Sequence, residues 1–319
     1  MFESGSLLRS VDIYLVENVV QSFVALALVL AVVHALKIRD HVLRVQLYLL
    51  PILIPLIAPP LYYLLLPSRP EMPVLKLDRL LALEKVIPYQ QESSLWGPAL
   101  TLALILALGF LLARSAVAVF AILLIPRHHQ PLLVDRGSAL QRALTSLATE
   151  AGVRQPRILV SESRRPSAGS FALMGRPYLL LPPRWLGERR QEVLKPVLAH
   201  EIAHLKRGDH RLLPLLRFVR GLLFFNPAVH IASVLVAREA ELASDQMALK
   251  LGVEPADYAR GLLGACQVAP LCPAAGRARA GEIRERVEAV LAPALALERP
   301  RWVLPIMAII LGTALFFLC

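Results

Sequence analysis

The chain has 319 residues, 56% of them hydrophobic, with a mean hydropathy of +0.56 and 35 Lys and Arg against 24 Asp and Glu. Such a composition is too apolar for an ordinary soluble domain and excludes a disordered one. The charge is regional, since residues 126–301 hold 26 of the basic and 16 of the acidic side chains and so contribute +10 of the net +11. Only Cys266, Cys272 and Cys319 are present, with no CxxC pair. Neither a disulfide framework nor a cysteine zinc knuckle is encoded, which fits a reducing compartment for the polar region.

In chain order, residues 19–36 form the first run long enough to cross a bilayer, which needs about 20 apolar residues. It lacks the basic n-region and small-residue cleavage site of a signal peptide and should remain as an anchor. Residues 42–67 form the second, where Pro51, Pro55, Pro59 and Pro60 imply a kink or break packed against neighbours. The third, 96–125, is longer than a bilayer requires and carries Arg114, read as a snorkelling interfacial charge. The fourth is 302–319.

Lys37, Arg39 and Arg44 follow the first span, and Arg127, Arg136, Arg299 and Arg301 flank the large segment, whereas the N-terminal tail has only Arg9. This balance places the first loop and the large segment in the cytoplasm and both termini outside. The loop at 67–95 is then external despite Arg69, Lys76, Arg79 and Lys85. The expected organisation is a membrane region with three spans over residues 1–125, a cytoplasmic domain over 126–301 and a fourth span over 302–319.

Within the cytoplasmic segment, SALQRALTSLATEAGV places Leu140, Leu144 and Leu147 on one face of an amphipathic helix ending at Gly152. PRILVSE reads as a short strand, RRPSAGSFALMG as a loop and RPYLLLPP as a second strand bounded by prolines. The RPYLLLP strand either offers an exposed edge to an extended peptide or lies inside the sheet. Beyond Gly187 the pattern is helical, around VLAHEIAHLKRGD, REAELASDQMALKLG and GEIRERVEAVLAP. Residues 212–237 approach a span in apolar length but contain Arg217 and Arg220, and read as a hairpin pressed against the bilayer, its basic neighbourhood attracted to anionic lipid. The fold class is a multi-span α-helical membrane protein with a cytoplasmic, mainly helical α+β domain.

The residues that carry chemistry are His200, Glu201 and His204 in HEIAH. Residues four apart share one helical face, so two imidazoles can bind one ion while Glu201 reaches the water on it. Pro196 is expected in the first turn of that helix. A catalytic Zn2+ needs a third protein ligand and an open position. Glu241 is preferred, because Asp245 lies four residues beyond it, placed to orient a ligand histidine through its second nitrogen; Glu239 is the rival. Asp209, five residues after His204, is either another supporting carboxylate or a helix-end residue. His230 and Tyr178 are candidate oxyanion donors.

The order HEIAHLKRGD, FFNP (Phe224 to Pro227) and ELASD, preceded by GRPYLLLP and followed by RERVEAVL, resembles the integral-membrane antirepressor metallopeptidases of the BlaR/MecR type. The resemblance covers residues 134–291 and extends to the plan of spans. It implies a gluzincin-like, zincin-like peptidase domain in which one Zn2+ is held by His200, His204 and Glu241, with Glu201 as base and Asp245 in support. It also implies a bacterial inner membrane location and a protein or peptide substrate such as a transcriptional repressor. Two departures stand out. The penicillin-binding sensor domain that follows the fourth span in the family's antibiotic sensors is not in these 319 residues, so sensing is expected to fall to a separate partner protein or the short external loop. Ser244 stands where the family often has Cys, a harmless change if that side chain does not touch the metal.

The function expected is therefore signal transduction by proteolysis of a cytoplasmic or membrane-associated regulatory protein. The alternatives are a quality-control membrane protease of the Ste24-like or heat-shock type, and an inactive membrane scaffold. The partners expected are the lipid bilayer, the substrate, a sensor and a second copy of the chain. Scattered arginines without a recognition motif argue against direct nucleic-acid binding.

Overall fold

The computed structural model describes residues 4–65, 96–128, 130–132, 138–160, 168–183, 191–268, 273–292 and 302–318. The chain divides into two compact units, each assembled from separate stretches. The first comprises Met1–Arg114, Leu216–Glu239 and Leu297–Cys319; the second comprises Ser115–Leu215 and Ala240–Ala296.

The first unit is helical. Helices α1 (Ser4–Ala35), α2 (His41–Leu65) and α10 (Val303–Leu318) pack on one another. Ala25, Leu26, Val29 and Val33 of α1, Leu47 and Ile52 of α2, and Val303, Met307 and Leu311 of α10 are buried. Two helical stretches among the described residues are long and apolar enough to cross a membrane: Asn18–Ala35 in α1 and Leu106–Pro126 in α3 (Trp96–His128). They coincide with the first and third spans read from the sequence. No residue of the α3 stretch is buried, and Phe110 and Val117 are 70% and 68% exposed. Apolar surface on that scale suits lipid rather than water. Shorter apolar helical runs cover His41–Ile57 and Val303–Thr313. The loop at 67–95, whose basic residues enter the orientation, lies outside the described residues.

Residues 212–237 form a helical stretch broken by one turn, from the body of α6 (Asp209–Leu222) into the first half of α7 (Pro227–Lys250). Its turn is tied to α1 by Asn226, which is fully buried. The Asn226 carboxamide oxygen accepts from the Ala228 and Val229 amides at 3.0 and 3.3 Å, capping α7. Its Nδ2 donates to Asn18 Oδ1 and Ser22 Oγ, both at 2.9 Å. Thus the NP of FFNP starts a helix and joins it to another about 200 residues away.

The second unit is built on a four-stranded sheet of order β1-β2-β4-β3, from β1 (Gln130–Pro131), β2 (Arg157–Val160), β3 (Gly169–Leu173) and β4 (Arg176–Leu181). β2 and β4 are parallel, and β1 and β3 flank them in antiparallel register. One expectation is corrected here and one open alternative is decided. GSFAL, read as loop, is strand β3, because Met174 and Gly175 both take positive φ and close a two-residue hairpin onto β4. Of the two readings of RPYLLLP, the internal one holds: Leu179 and Leu181 are fully buried, and β3 occupies the edge position beyond it.

Helix α4 (Ala139–Ala151) has the expected amphipathic face, started by Ser138, which accepts from Gln141 N, and ended by Gly152 at φ 64°. Its Leu144 and Leu147 join Ile158, Leu179 and Leu181 of the sheet in one core with Leu194, Leu198, Ile202 and Leu205 of α5 (Gln191–Arg207). Fully burying each such side chain contributes about 1.5–3 kcal/mol, so α5 is fixed along its length. This packing also corrects the position of Pro196. Leu194 is drawn into the core and the helix starts at Gln191, leaving Pro196 inside α5 rather than in its first turn.

Candidate metal centre

Because Leu198, Ile202 and Leu205 commit one face of α5 to the core, His200 and His204 project together from the other. Gly208, at φ 79°, then reverses the chain so that α6 begins immediately at Asp209. That left-handed step favours glycine and brings the Asp209 carboxylate back onto His204. Helix α7 supplies Glu241, Ser244 and Asp245, α8 (Pro255–Val268) supplies Tyr258 and α9 (Pro273–Leu291) supplies Arg286.

The ligand atoms converge. His200 Nε2 lies 3.0 Å from His204 Nε2 and 3.4 Å from Glu241 Oε2, and His204 Nε2 lies 3.6 Å from Glu241 Oε1. A tetrahedral ion with bonds of ~2.0–2.1 Å holds its donors about 3.3 Å apart, and the two imidazole nitrogens and the Glu241 carboxylate, which faces one with each oxygen, lie close to that spacing. It is the His200–His204–Glu241 group expected from HEIAH and ELASD. The side chains retain 15%, 12% and 30% exposure, leaving the centre open to solvent.

Each imidazole is oriented through its other nitrogen. His200 Nδ1 is 3.0 Å from Asp245 Oδ1 and 2.9 Å from the Tyr258 hydroxyl, which itself donates to Asp245 Oδ1 at 2.6 Å. His204 Nδ1 is 2.8 Å from Asp209 Oδ2 and 3.1 Å from Ser244 Oγ, which in turn donates to Asp209 Oδ2 at 3.1 Å. Nδ1–H donation to these carboxylates leaves both Nε2 lone pairs directed at the ion position. Asp245 thus stands where the i+4 spacing placed it. Asp209 satisfies both readings, since it opens α6 and also holds His204. Ser244 touches a ligand histidine and its carboxylate, so its contacts lie behind the ligand atoms.

Arg286 completes the arrangement. It binds Asp245 with both Nε and Nη2, at 2.7 and 2.6 Å, and reaches Glu241 Oε2 with Nη1 at 3.2 Å. Arg286 and Tyr258 were not singled out from the sequence. The RERVEAVL segment contains Arg286, but spacing within α9 carries no sign of its partners on α7. Glu201 is 7% exposed on α5, and none of the described residues pairs with its carboxylate.

The rival Glu239 is committed elsewhere, within the first unit, to His41 and Arg44 at 2.5 and 3.1 Å. Of the oxyanion candidates, Tyr178 stacks on Phe171 with ring centroids 5.2 Å apart, and His230 Nε2 bonds the Phe224 carbonyl at 3.0 Å.

A family model described as BlaR1 peptidase M56 matches residues 17–290, most of the chain. The chain belongs to that family. A curated relative, the protease HtpX homolog of Aeropyrum pernix, is 30% identical over 121 residues, a match that covers 35% of each chain. The chain therefore spans about a third of the length of that relative.

The charge balance at the M56 site is set by its carboxylates. Burial disfavours an imidazolium at His200, but hydrogen bonds to Asp245 and Glu241 outweigh it and push its pKa up to about 10. Burial would likewise raise the Glu241 and Asp245 carboxyls, yet His200 and Arg286 hold both below the usual range. Asp209 is held low, against its own burial, by His204 and Arg207.

A metal must displace the His200 proton, so binding releases it, and apparent affinity is lost as pH falls below the His200 pKa. Each pH unit costs about tenfold per displaced proton. Chelator competition should therefore show metal affinity rising about 100-fold between pH 6 and pH 8; a flat profile would remove His200 from the ligand set.

Proposed function

We propose that this chain is a membrane-anchored zinc metalloendopeptidase that hydrolyses a cytoplasmic or membrane-associated regulatory protein. The observation that carries the reading is the convergence of two imidazoles and a carboxylate at tetrahedral spacing, each imidazole backed by its own carboxylate, with Glu201 beside them on α5. Two nitrogens and one oxygen suit Zn2+, with a fourth position open for reaction.

Bound there, Zn2+ would supply Lewis acidity, acidifying a water molecule and polarising the scissile carbonyl. Glu201 takes the water's proton on its carboxylate and passes it to the leaving amide nitrogen. Asp245 and Asp209 keep His200 and His204 in register through the cycle, and Arg286 holds Asp245 and Glu241 together. The substrate backbone pairs along β3, the edge strand that packs near α5.

The apolar stretches of α1 and α3 anchor the peptidase in a bacterial inner membrane, with residues 126–301 on the cytoplasmic side and the termini outside. The substrate is a repressor or similar regulator, released by a signal that a separate sensor supplies. A second reading, quality control of membrane proteins, is favoured by the similarity to the HtpX homolog.

Comparing new protein termini in membranes and cytosol of cells carrying the wild type or Glu201→Gln tests both. A cut at a defined position in one regulatory protein supports the first reading, whereas many cuts in misfolded membrane proteins support the second. Identical termini in the two strains would refute proteolysis.

A further inference from the structure

Both ligand histidines are backed in the same way, by an aspartate that an arginine holds in turn, and all of these groups belong to the second unit. Behind His204, Arg207 places Nε and Nη2 on Asp209 at 3.0 and 3.4 Å. Behind His200, Arg286 places the same two nitrogens on Asp245 at 2.7 and 2.6 Å. Two nitrogens are therefore enough to hold an aspartate, yet Arg286 goes further and sets Nη1 on Glu241 Oε2 at 3.2 Å. The Glu241 carboxylate turns one oxygen toward each histidine, Oε2 at 3.4 Å from His200 Nε2 and Oε1 at 3.6 Å from His204 Nε2. Either or both could meet an ion there, since carboxylates bind metals through one oxygen or two.

We propose that Arg286 selects the coordination mode of Glu241: by occupying Oε2 through Nη1, it leaves Oε1 as the single oxygen that meets the metal. A catalytic Zn2+ site keeps three protein donors and an open position. A second carboxylate oxygen on the ion would crowd that position. The guanidinium suits the task because its planar fork grips Asp245 along one edge and still presents Nη1 to Glu241. At 14% exposure, Arg286 makes this contact largely out of reach of water. It is a positioning residue that acts through Glu241. The inference rests on the metal site proposed above.

The test uses the full-length chain in detergent, loaded with Co2+ in place of Zn2+, because the visible absorption of cobalt reports the number of ligands without requiring a substrate. The wild type should show the intense bands of a four-coordinate ion. Arg286→Lys keeps an ammonium for Asp245 but has no second donor group fixed in the direction of Glu241. It should still bind one Co2+ per chain, with the intense bands replaced by the weaker ones of a five-coordinate ion. Arg286→Met should show the same change. Asp245→Asn separates the two contacts of the arginine. It removes the charge behind His200 and should weaken Co2+ binding about 10–100-fold, the range seen when a support behind a ligand is removed. The four-coordinate bands should persist, because Arg286 still reaches Glu241.

Far-ultraviolet circular dichroism checks that helix content is kept. Should Arg286→Met fail that check, Arg286→Lys carries the comparison, since a lysine keeps a cation beside the buried Asp245. A wild-type chain that takes up no cobalt overturns the metal site and this inference with it. A wild type that is already five-coordinate, or an Arg286→Lys chain that keeps the four-coordinate bands, overturns the selection of one oxygen alone. Loss of those bands in Asp245→Asn would show that Arg286 acts through Asp245 and His200, and would equally overturn it.

Discussion

Replacing Glu201 by glutamine should leave one metal ion per chain and slow peptide hydrolysis by about 10²–10⁴-fold, the usual contribution of a positioned general base. The substitution is nearly isosteric, and Glu201 is bonded to none of the groups that orient His200 or His204, so the ligand set is untouched. What disappears is an oxygen able to take up a proton next to the ion. Metal analysis of the purified variant and cleavage of a fluorogenic peptide measure the two effects separately. Full proteolysis with full metal content would show that another group takes the proton; loss of metal would show that Glu201 is a ligand.

Glu241→Ala should instead empty the site. The apparent binding energy of a four-ligand zinc site is about 10–16 kcal/mol, or roughly 3–4 kcal/mol per ligand, which corresponds to about 10²–10³-fold weaker binding when one ligand is lost. The fold should survive, because Arg286 keeps its paired contacts to Asp245 and Asp245 keeps Tyr258 and His200. Chelator competition on the variant, with a thermal melt of the metal-free protein as control, distinguishes ligand loss from unfolding. Unchanged metal stoichiometry and affinity would exclude Glu241 from the ligand set and return attention to the other carboxylates of the cluster.

Much of this centre is legible in one dimension because helices turn local spacing into geometry. His200 and His204 are four apart, as are Glu241 and Asp245, and each pair lands on one face. The contributions of Arg286 and Tyr258 come from separate helices 41 and 13 residues beyond Asp245, where no periodicity links them. What sets Glu239 apart from Glu241, its contacts to His41 and Arg44, comes from residues nearly 200 positions upstream.

In the sheet, β2 and β4 announce themselves through apolar runs bounded by turn residues, whereas β3 is hidden. Its hairpin places Met174 at φ 48°, where an asparagine or glycine would ordinarily signal the turn. Whether RPYLLLP is an edge depends entirely on that hidden strand. The division into units is equally invisible to a linear reading, since 216–239 join the N-terminal helices while 240–296 join the sheet.

Asn226 imposes a schedule on synthesis. Asn18 and Ser22 are buried, and their partner on the α6–α7 turn is more than 200 residues away in the sequence. At about 5–20 residues per second, the ribosome delivers that partner some 10–40 s after α1 has emerged. Asn18 can meanwhile donate to the Pro55 carbonyl on α2, but Ser22 has to wait for the turn. The first helix made is therefore among the last to be locked, and nascent chains arrested before Asn226 should leave it open to chaperones and proteases that the finished protein excludes.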